Sequence, residues 1–310
     1  MTGRVVKRIG VVGAGTIGAS WAAYFLARGL DVVATDPAPG SRERILEMVH
    51  RFWPVLEAMG LDAGASLDRL TITPDGALDL DGVDFVQESG PEREDLKIDL
   101  FRRLDAVLPA DVVIASSSSG LKISNVQSAC AHPERCLIGH PFNPPHIIPL
   151  VEVVAGRQTG DAAMQAAIDF YRAIGKHPIR LNKEVTGHVA NRLQGAVWRE
   201  ALHLVLTGVA SAADVDDAMS YGPGMRWALM GPSLTFHLGG GEGGIGAFLK
   251  HLGGPVQSWW DDLGHPDLTP ETIALVEAAI LEEVAGRSTA ELAARRDKFL
   301  LGLMRLKAEL

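Results

Sequence analysis

A doubly wound α/β sheet followed by an all-helical segment is the fold class predicted by three features of this 310-residue sequence. Short apolar runs alternate with helical spacing as far as Leu181, a glycine-rich turn joins the first run to the first helix, and only helical spacing follows. Lys7 to Val12 reads as a strand, and Thr16 to Leu30 as a helix through the spacing of Ile17, Trp21, Tyr24 and Phe25. A second strand, Asp31 to Thr35, ends on Asp36, which completes one βαβ unit of the kind that builds a parallel sheet. A longer helix is predicted from Ser41 to Met59. Further strands are predicted at Leu70 to Thr73, Val83 to Gln87, Val112 to Ser116, Cys136 to His140, Leu150 to Val154 and Pro178 to Leu181, with helices at Glu94 to Val107 and Asp161 to Ile174. Beyond Lys183 the pattern predicts helices at Gly187 to Thr207, Ala212 to Ser220, Pro232 to His251, Thr269 to Ala285 and Ser288 to Lys307. The change near residue 185 divides the chain into 1–185 and 186–310. The glycines from Gly239 to Gly244 read as a flexible loop.

Composition narrows the class of function. Apolar residues make up 47% and charged residues 22%, enough core-forming material to offset the entropy of ordering a chain of this length. The net charge of −9, with no basic run, argues against a nucleic-acid partner. No apolar stretch of spanning length occurs, so no membrane partner is expected. Two cysteines, Cys130 and Cys136, make neither a disulfide framework nor a metal-ligand set, which favours a reducing cytoplasm and no bound metal. The basic N-terminus, Arg4, Lys7 and Arg8, runs directly into the first strand without the apolar region of a secretion signal.

Gly13-Ala14-Gly15-Thr16-Ile17-Gly18 fits the G-x-G-x-x-G pattern between a strand and a helix, and Asp36 closes the next strand about 20 residues on. In a Rossmann-type unit Gly13 permits the tight turn, Gly15 the approach of a pyrophosphate, and Gly18 close packing of the helix, while the helix start at Thr16 and Ile17 offers unpaired N–H groups to phosphate. Asp36 would accept from a free ribose hydroxyl and repel a 2′-phosphate. With no cation in Pro37-Ala38-Pro39-Gly40, NAD is the expected cofactor.

The turn Ser116-Ser117-Ser118-Ser119-Gly120 follows a strand, at the carboxyl edge of the sheet where ligands bind. His140 ends another strand. Glu152, within an otherwise apolar run, would be costly to bury unpaired, and His140 is its nearest plausible partner. Such a carboxylate would orient the ring and stabilise its protonated form, as suits a general base acting on an alcohol.

Taken in order, the Gly13 to Gly18 pattern, Glu88 to Lys97, the serine cluster, His140-Pro141-Phe142-Asn143-Pro144, Leu150-Val151-Glu152-Val153, Gly187-x-x-x-Asn191-Arg192-Leu193 and Gly231-Pro232 resemble the L-3-hydroxyacyl-CoA dehydrogenase family over essentially the whole chain. The resemblance implies a helical second domain like the C-terminal domain of 6-phosphogluconate dehydrogenases. It implies that His140 is the catalytic base, Glu152 its partner, and Ser119 and Asn191 contacts to the substrate oxygen. Glu92 and Lys97 would lie near the nicotinamide ribose, with Ser117 and Asn143 also on the cofactor side. Ser117 and Pro141 depart from the usual family residues. The segment Val49 to Leu67 lacks the lysines that acyl-CoA members commonly carry, and Asp36-Pro37-Ala38-Pro39-Gly40, Gln87 to Arg93, Ser118-Ser119-Gly120-Leu121, Gly139 to Pro144 and Trp198 to Val205 resemble the branch that oxidises L-carnitine, which the resemblance implies shares these departures. The implied reaction is therefore oxidation of a short L-3-hydroxy acid, with L-carnitine going to 3-dehydrocarnitine; 3-hydroxybutyryl-CoA and L-gulonate are the alternative substrates, and a crystallin-like structural protein is the non-enzymatic alternative. A quaternary ammonium is held by aromatic faces, for which Trp198, Tyr221, Trp227 and Phe236 are the candidates. A homodimer formed through the C-terminal domain is also expected.

Overall fold

The computed structural model describes residues 5–73 and 78–309, so Arg4, one of the basic residues counted above, lies outside it. The first βαβ unit consists of β1 (Arg8–Val12), α1 (Thr16–Ala27) and β2 (Asp31–Thr35), followed by α2 (Ser41–Met59) and β3 (Leu70–Ile72). β4 (Phe85–Glu88), α3 (Glu94–Val107), β5 (Val113–Ser116) and the short α4 (Ile123–Val126) come next. β6 (Cys136–Pro141), β7 (Leu150–Ala155), α5 (Asp161–Ala173) and β8 (His177–Leu181) complete an eight-stranded sheet of order β3-β2-β1-β4-β5-β6-β7-β8. The reversal of winding at β1 and β4 is the switch point at which doubly wound sheets bind ligands.

The inner strands β1, β2 and β4 to β7 are buried on both faces, as their continuous apolar runs require, whereas the edge strands β3 and β8 are partly exposed. On one face Ile9, Val11, Val32, Phe85, Ala115, Leu137 and Val153 pack under α1, α2 and α5, with Trp21 wholly buried and stacked 5.1 Å from Phe25. On the other, Val33, Val86, Ile114, Ile138 and Val154 meet Phe101 and Leu104 of α3. One pairing departs from a fully parallel sheet: β7 runs antiparallel to β6, in a register that sets His140 opposite Glu152. The connection between the two strands, 142–149, is too short for a helical crossover, so the chain must turn back on itself.

The chain divides into two compact units, Met1–Arg192 and Leu193–Leu310. The division falls inside α6 (Ala190–Leu206), past the turn at Glu184 to Gly187 where the sequence pattern changes. The second unit continues with α7 (Ala212–Tyr221), α8 (Pro223–Trp227), α9 (Pro232–Gly239), α10 (Gly244–Asp262), α11 (Pro270–Val284) and α12 (Thr289–Ala308). Ser211, Thr269 and Ser288 cap α7, α11 and α12 by accepting backbone N–H bonds, which explains why those starts are legible. The expected single helix from Pro232 to His251 is instead two, because Gly241 and Gly244 take left-handed φ values of 57° and 58° and a single 3-10 turn replaces the flexible loop read from composition. α10 also runs on through Pro255 to Asp262, since one proline removes a single N–H without forcing the chain to leave the helix. Among the described residues, no helix is long and apolar enough to cross a membrane.

Candidate active site

The turn between β1 and α1 is built as a phosphate cradle. Gly13 has φ 91° and a Cβ there would lie 2.6 Å from the Gly90 nitrogen; a Cβ on Gly18 would lie 1.8 Å from the Gly13 oxygen. At Gly15, by contrast, nothing among the described residues lies within 4 Å of a Cβ position, and none of their side chains caps the helix. Gly15 and Thr16 are exposed, with Ile17 partly so, leaving the first N–H groups of α1 open to an anion. Asp36 is held against this turn: Ala14 N–H donates to its Oδ2 at 2.7 Å and Ala38 N–H to its Oδ1 at 2.8 Å. Each oxygen keeps acceptor capacity for a ribose hydroxyl. Pro37 to Glu43, with Ile72 and Thr73, line a cavity of about 470 Å³ beside it. Asp36→Ala is expected to raise the dissociation constant for NAD by about tenfold, the loss of about one charge-assisted hydrogen bond; a fluorescence titration giving an unchanged value would remove Asp36 from the site.

Next to the cradle, buried polar groups organise the strand ends. Glu88 accepts from Lys97 Nζ, Ser116 Oγ and Gly90 N–H, each at 2.6 Å. Lys97, for which the resemblance implies a contact near the nicotinamide ribose, does not project freely: its side chain is 2% exposed and its ammonium is held by Glu88 and the Gly90 carbonyl. Breaking such a pair leaves an uncompensated buried charge, typically at about 3–5 kcal/mol. Lys97→Met is thus expected to lower the melting temperature by about 5–10 °C, and an unchanged thermal melt would show that the pair adds no stability.

Glu92 does not project freely either. Its Oε1 accepts from Ser118 Oγ at 2.7 Å, Ser119 N–H at 3.0 Å and Gly120 N–H at 2.8 Å, shaping the serine turn. Burial pushes its carboxyl pKa upward, but the Ser118 and backbone hydrogen bonds and the Lys97 charge outweigh that and hold it below the ordinary value. Ser117 is likewise committed to an interior network. Its hydroxyl accepts from Gln87 Nε2 at 2.8 Å and lies 2.9 Å from Ser89 Oγ, while Tyr171 donates to Gln87 Oε1 at 2.6 Å. Gly139 makes room for that tyrosine, because a Cβ there would lie 2.0 Å from the Tyr171 hydroxyl.

The antiparallel register brings His140 Nδ1 to 2.9 Å from Glu152 Oε2. Glu152 is fully buried, and its second oxygen accepts from Val189 N–H at 2.8 Å and Ala190 N–H at 3.0 Å, at the start of α6. One carboxylate thus anchors both the histidine ring and a helix N-terminus, whose positive dipole end favours its charge. Burial alone would raise the Glu152 pKa, yet the His140 and backbone hydrogen bonds hold it below the usual carboxylate value. An ionised Glu152 can only accept, so Nδ1 of His140 carries a hydrogen, and in the neutral ring it is Nε2 that keeps the lone pair.

Ser119 and Asn191 have side chains without a hydrogen-bond partner among the described residues, and Asn191 lies inside the first turn of α6 rather than capping it. Asn143 is exposed, just before a cis peptide bond to Pro144. The connection 142–149 is clamped from below by Lys176, which donates to the Pro145 carbonyl and, at 3.1 Å, to the Ile148 carbonyl, its ammonium 3.6 Å from the Tyr24 ring centre.

His188 is a residue that sequence reasoning passed over inside Gly187-x-x-x-Asn191. It is 3% exposed, its ring centre lies 5.0 Å from that of His140, and its Nε2 donates to the Ser118 carbonyl at 2.9 Å. Burial, together with the proximity of His140, holds its pKa below the ordinary histidine value, against the opposing Ser118 hydrogen bond and the Glu152 and Glu92 charges. Its φ of 49° is a left-handed conformation that costs a non-glycine residue about 1–2 kcal/mol. No sequence signal marks it.

In the helical unit, the four candidate aromatics do not assemble as a group. Trp198 and Tyr221 are 54% and 74% exposed, Phe236 packs instead at a tilt against Phe248 at 5.0 Å, and no ring contact joins any two of the four among the described residues. They are not buried core residues of this unit either.

A glycine turn open to an anion with Asp36 held beside it, at the switch point of a doubly wound sheet, and a histidine–carboxylate pair on β6 and β7 are the arrangement expected of a nicotinamide-dependent dehydrogenase. Residues 8–185 match the 3-hydroxyacyl-CoA dehydrogenase NAD binding domain and residues 187–266 the C-terminal domain of the same family. The chain belongs to the 3-hydroxyacyl-CoA dehydrogenase family and is an NAD-dependent oxidoreductase. Within the family it is 49% identical over 305 residues to L-carnitine dehydrogenase of Streptomyces coelicolor, an alignment covering 98% of this chain and 96% of the relative. It is 45% identical to L-carnitine dehydrogenase of Bacillus cereus over 97% of this chain and 92% of the relative. The solved structure of 5-formyl-3-hydroxy-2-methylpyridine 4-carboxylic acid 5-dehydrogenase, an NAD+-dependent dismutase, superposes with a TM-score of 0.80 at 31% identity, covering 97% and 98% of the two chains.

Proposed function

We propose that this protein oxidises L-carnitine to 3-dehydrocarnitine with NAD as the acceptor. The observation that carries the dehydrogenase chemistry is the His140–Glu152 pair; identity near 49% to carnitine dehydrogenases over nearly the full chain supports the substrate. Bound NAD supplies the acceptor for the hydride that leaves C3. His140 Nε2, the nitrogen left with a lone pair, accepts the proton of the 3-hydroxyl, and Glu152 stabilises the imidazolium that results. Ser119 and Asn191, with side-chain donors unpaired among the described residues, hold the substrate oxygen so that proton and hydride leave together. Glu92 and Lys97 act on the cofactor side by holding the serine turn and Gly90 in place.

A homodimer through the helical unit fits the apolar surface that unit leaves open, including Met225, Trp259, Trp260 and Phe299. Two free thiols with sulfurs 3.9 Å apart suit a reducing cytoplasm.

The test is NADH formation at 340 nm with L-carnitine, L-gulonate and 3-hydroxybutyryl-CoA in parallel. Turnover should be fastest with L-carnitine. Turnover of the thioester or the sugar acid without L-carnitine would overturn the substrate, and no turnover of any would overturn the enzymatic reading.

A further inference from the structure

We infer that His188 is a positioning residue of the reaction, tying the serine turn to the start of α6 so that Ser119, His140 and Asn191 converge on one substrate oxygen. The inference rests on the reading of His140 and Glu152 as base and partner. Four chain segments meet here, the serine turn, the start of α6, β7 and β6, and they form a closed circuit. The serine turn is joined to His188 through the Ser118 carbonyl, and His188 is followed directly by Val189 and Ala190, whose N–H groups donate to Glu152. Glu152 holds His140, and the His140 ring returns to within 5.0 Å of His188. His188 is the member that touches both the serine turn and the base.

Two features of this residue are not accounted for by packing. Its backbone is left-handed, a conformation glycine adopts more readily, and its Nδ1 is buried without a hydrogen-bond partner among the described residues. Because Nε2 must donate to a carbonyl, neutral His188 presents a lone pair at Nδ1, and the ring adds no second positive charge beside His140 when that base takes up a proton. The ionisable groups acting on it are His140 of β6, Glu152 of β7 and Glu92 of the segment before α3.

The test compares His188→Phe, which keeps the ring and removes the donor, with His188→Gln, whose amide can still donate to Ser118. For His188→Phe, kcat for L-carnitine should fall about 30-fold, with KM changed less than about threefold and the NAD dissociation constant within about twofold. Amide exchange across 117–121, measured without substrate, should quicken about tenfold or more, and His188→Gln should recover kcat to within about fivefold of wild type. Should His188→Phe not fold, His188→Asn, which tolerates the left-handed backbone but falls short of Ser118, should show the same losses. Wild-type kcat in either donor-lacking variant, unchanged exchange at 117–121, or a His188→Gln as impaired as His188→Phe would each overturn the assignment. If the wild-type protein does not oxidise L-carnitine, the functional reading fails on that result, and the exchange measurement still tests the tie.

Discussion

His140→Gln is expected to bind NAD as the wild type does and to lose at least about 10³-fold in kcat, at the upper end of what a positioned general base contributes. Glutamine fills similar space and can take a hydrogen bond from the substrate hydroxyl, but its amide cannot accept the proton at neutral pH. The cofactor cradle lies on β1, α1 and β2, whereas His140 is on β6, so loss of the ring should leave the NAD affinity within about twofold. Single-turnover rates with L-carnitine, together with a fluorescence titration of NAD, separate the two effects. A variant with near wild-type turnover would contradict the assignment of the base.

Glu152→Gln should follow, with kcat reduced by about 10²–10³-fold, because an ionised partner both fixes the tautomer and stabilises the imidazolium. The substitution also has a structural consequence specific to this site. The carboxylate offers acceptors on both sides, one oxygen to His140 Nδ1 and the other to the Val189 and Ala190 N–H groups. A glutamine can present its oxygen to only one side, so its NH₂ must face a donor on the other. A buried unsatisfied donor costs about 1–3 kcal/mol, so thermal stability should fall together with activity. The pH dependence has a definite sign. Because the folded-state pKa of Glu152 is lowered, its contribution to stability is present above the unfolded value of about 4.3 and is lost as pH falls through the folded value. Wild-type stability should therefore drop below about pH 4, and Glu152→Gln should show a shallower fall. Equal slopes for the two proteins in acid-unfolding curves would sink this account.

The parts of the site that follow from local physics were legible in the chain. The glycine pattern needs only a strand, a turn and a helix in succession, and Asp36 sits where the next strand ends. Glu152 was readable because a charge in Leu150-Val151-Glu152-Val153-Val154 demands a partner, and His140 stood close in sequence. Lys97 and Glu92 were readable as polar residues of interest but not in their role. Whether a lysine reaches a ligand or a buried carboxylate depends on Glu88 being fully enclosed in β4, a property of the assembled sheet. His188 was invisible for the same reason, since its partners Ser118 and His140 lie 70 and 48 residues away, the second number being 188 minus 140.

Sequence alone dictated the doubly wound sheet, the phosphate turn, the preference for NAD and the capped starts of α7, α11 and α12, because each depends on periodicity or on groups a few residues apart. Tertiary structure decided the rest. The antiparallel return of β7 sets His140 against Glu152, Glu152 in turn pins the first turn of α6, and the inward collapse of Lys97 onto Glu88 withdraws it from solvent. Those outcomes turn on strand register and burial, which arise only when segments distant in the chain compete for the same space and the same hydrogen bonds.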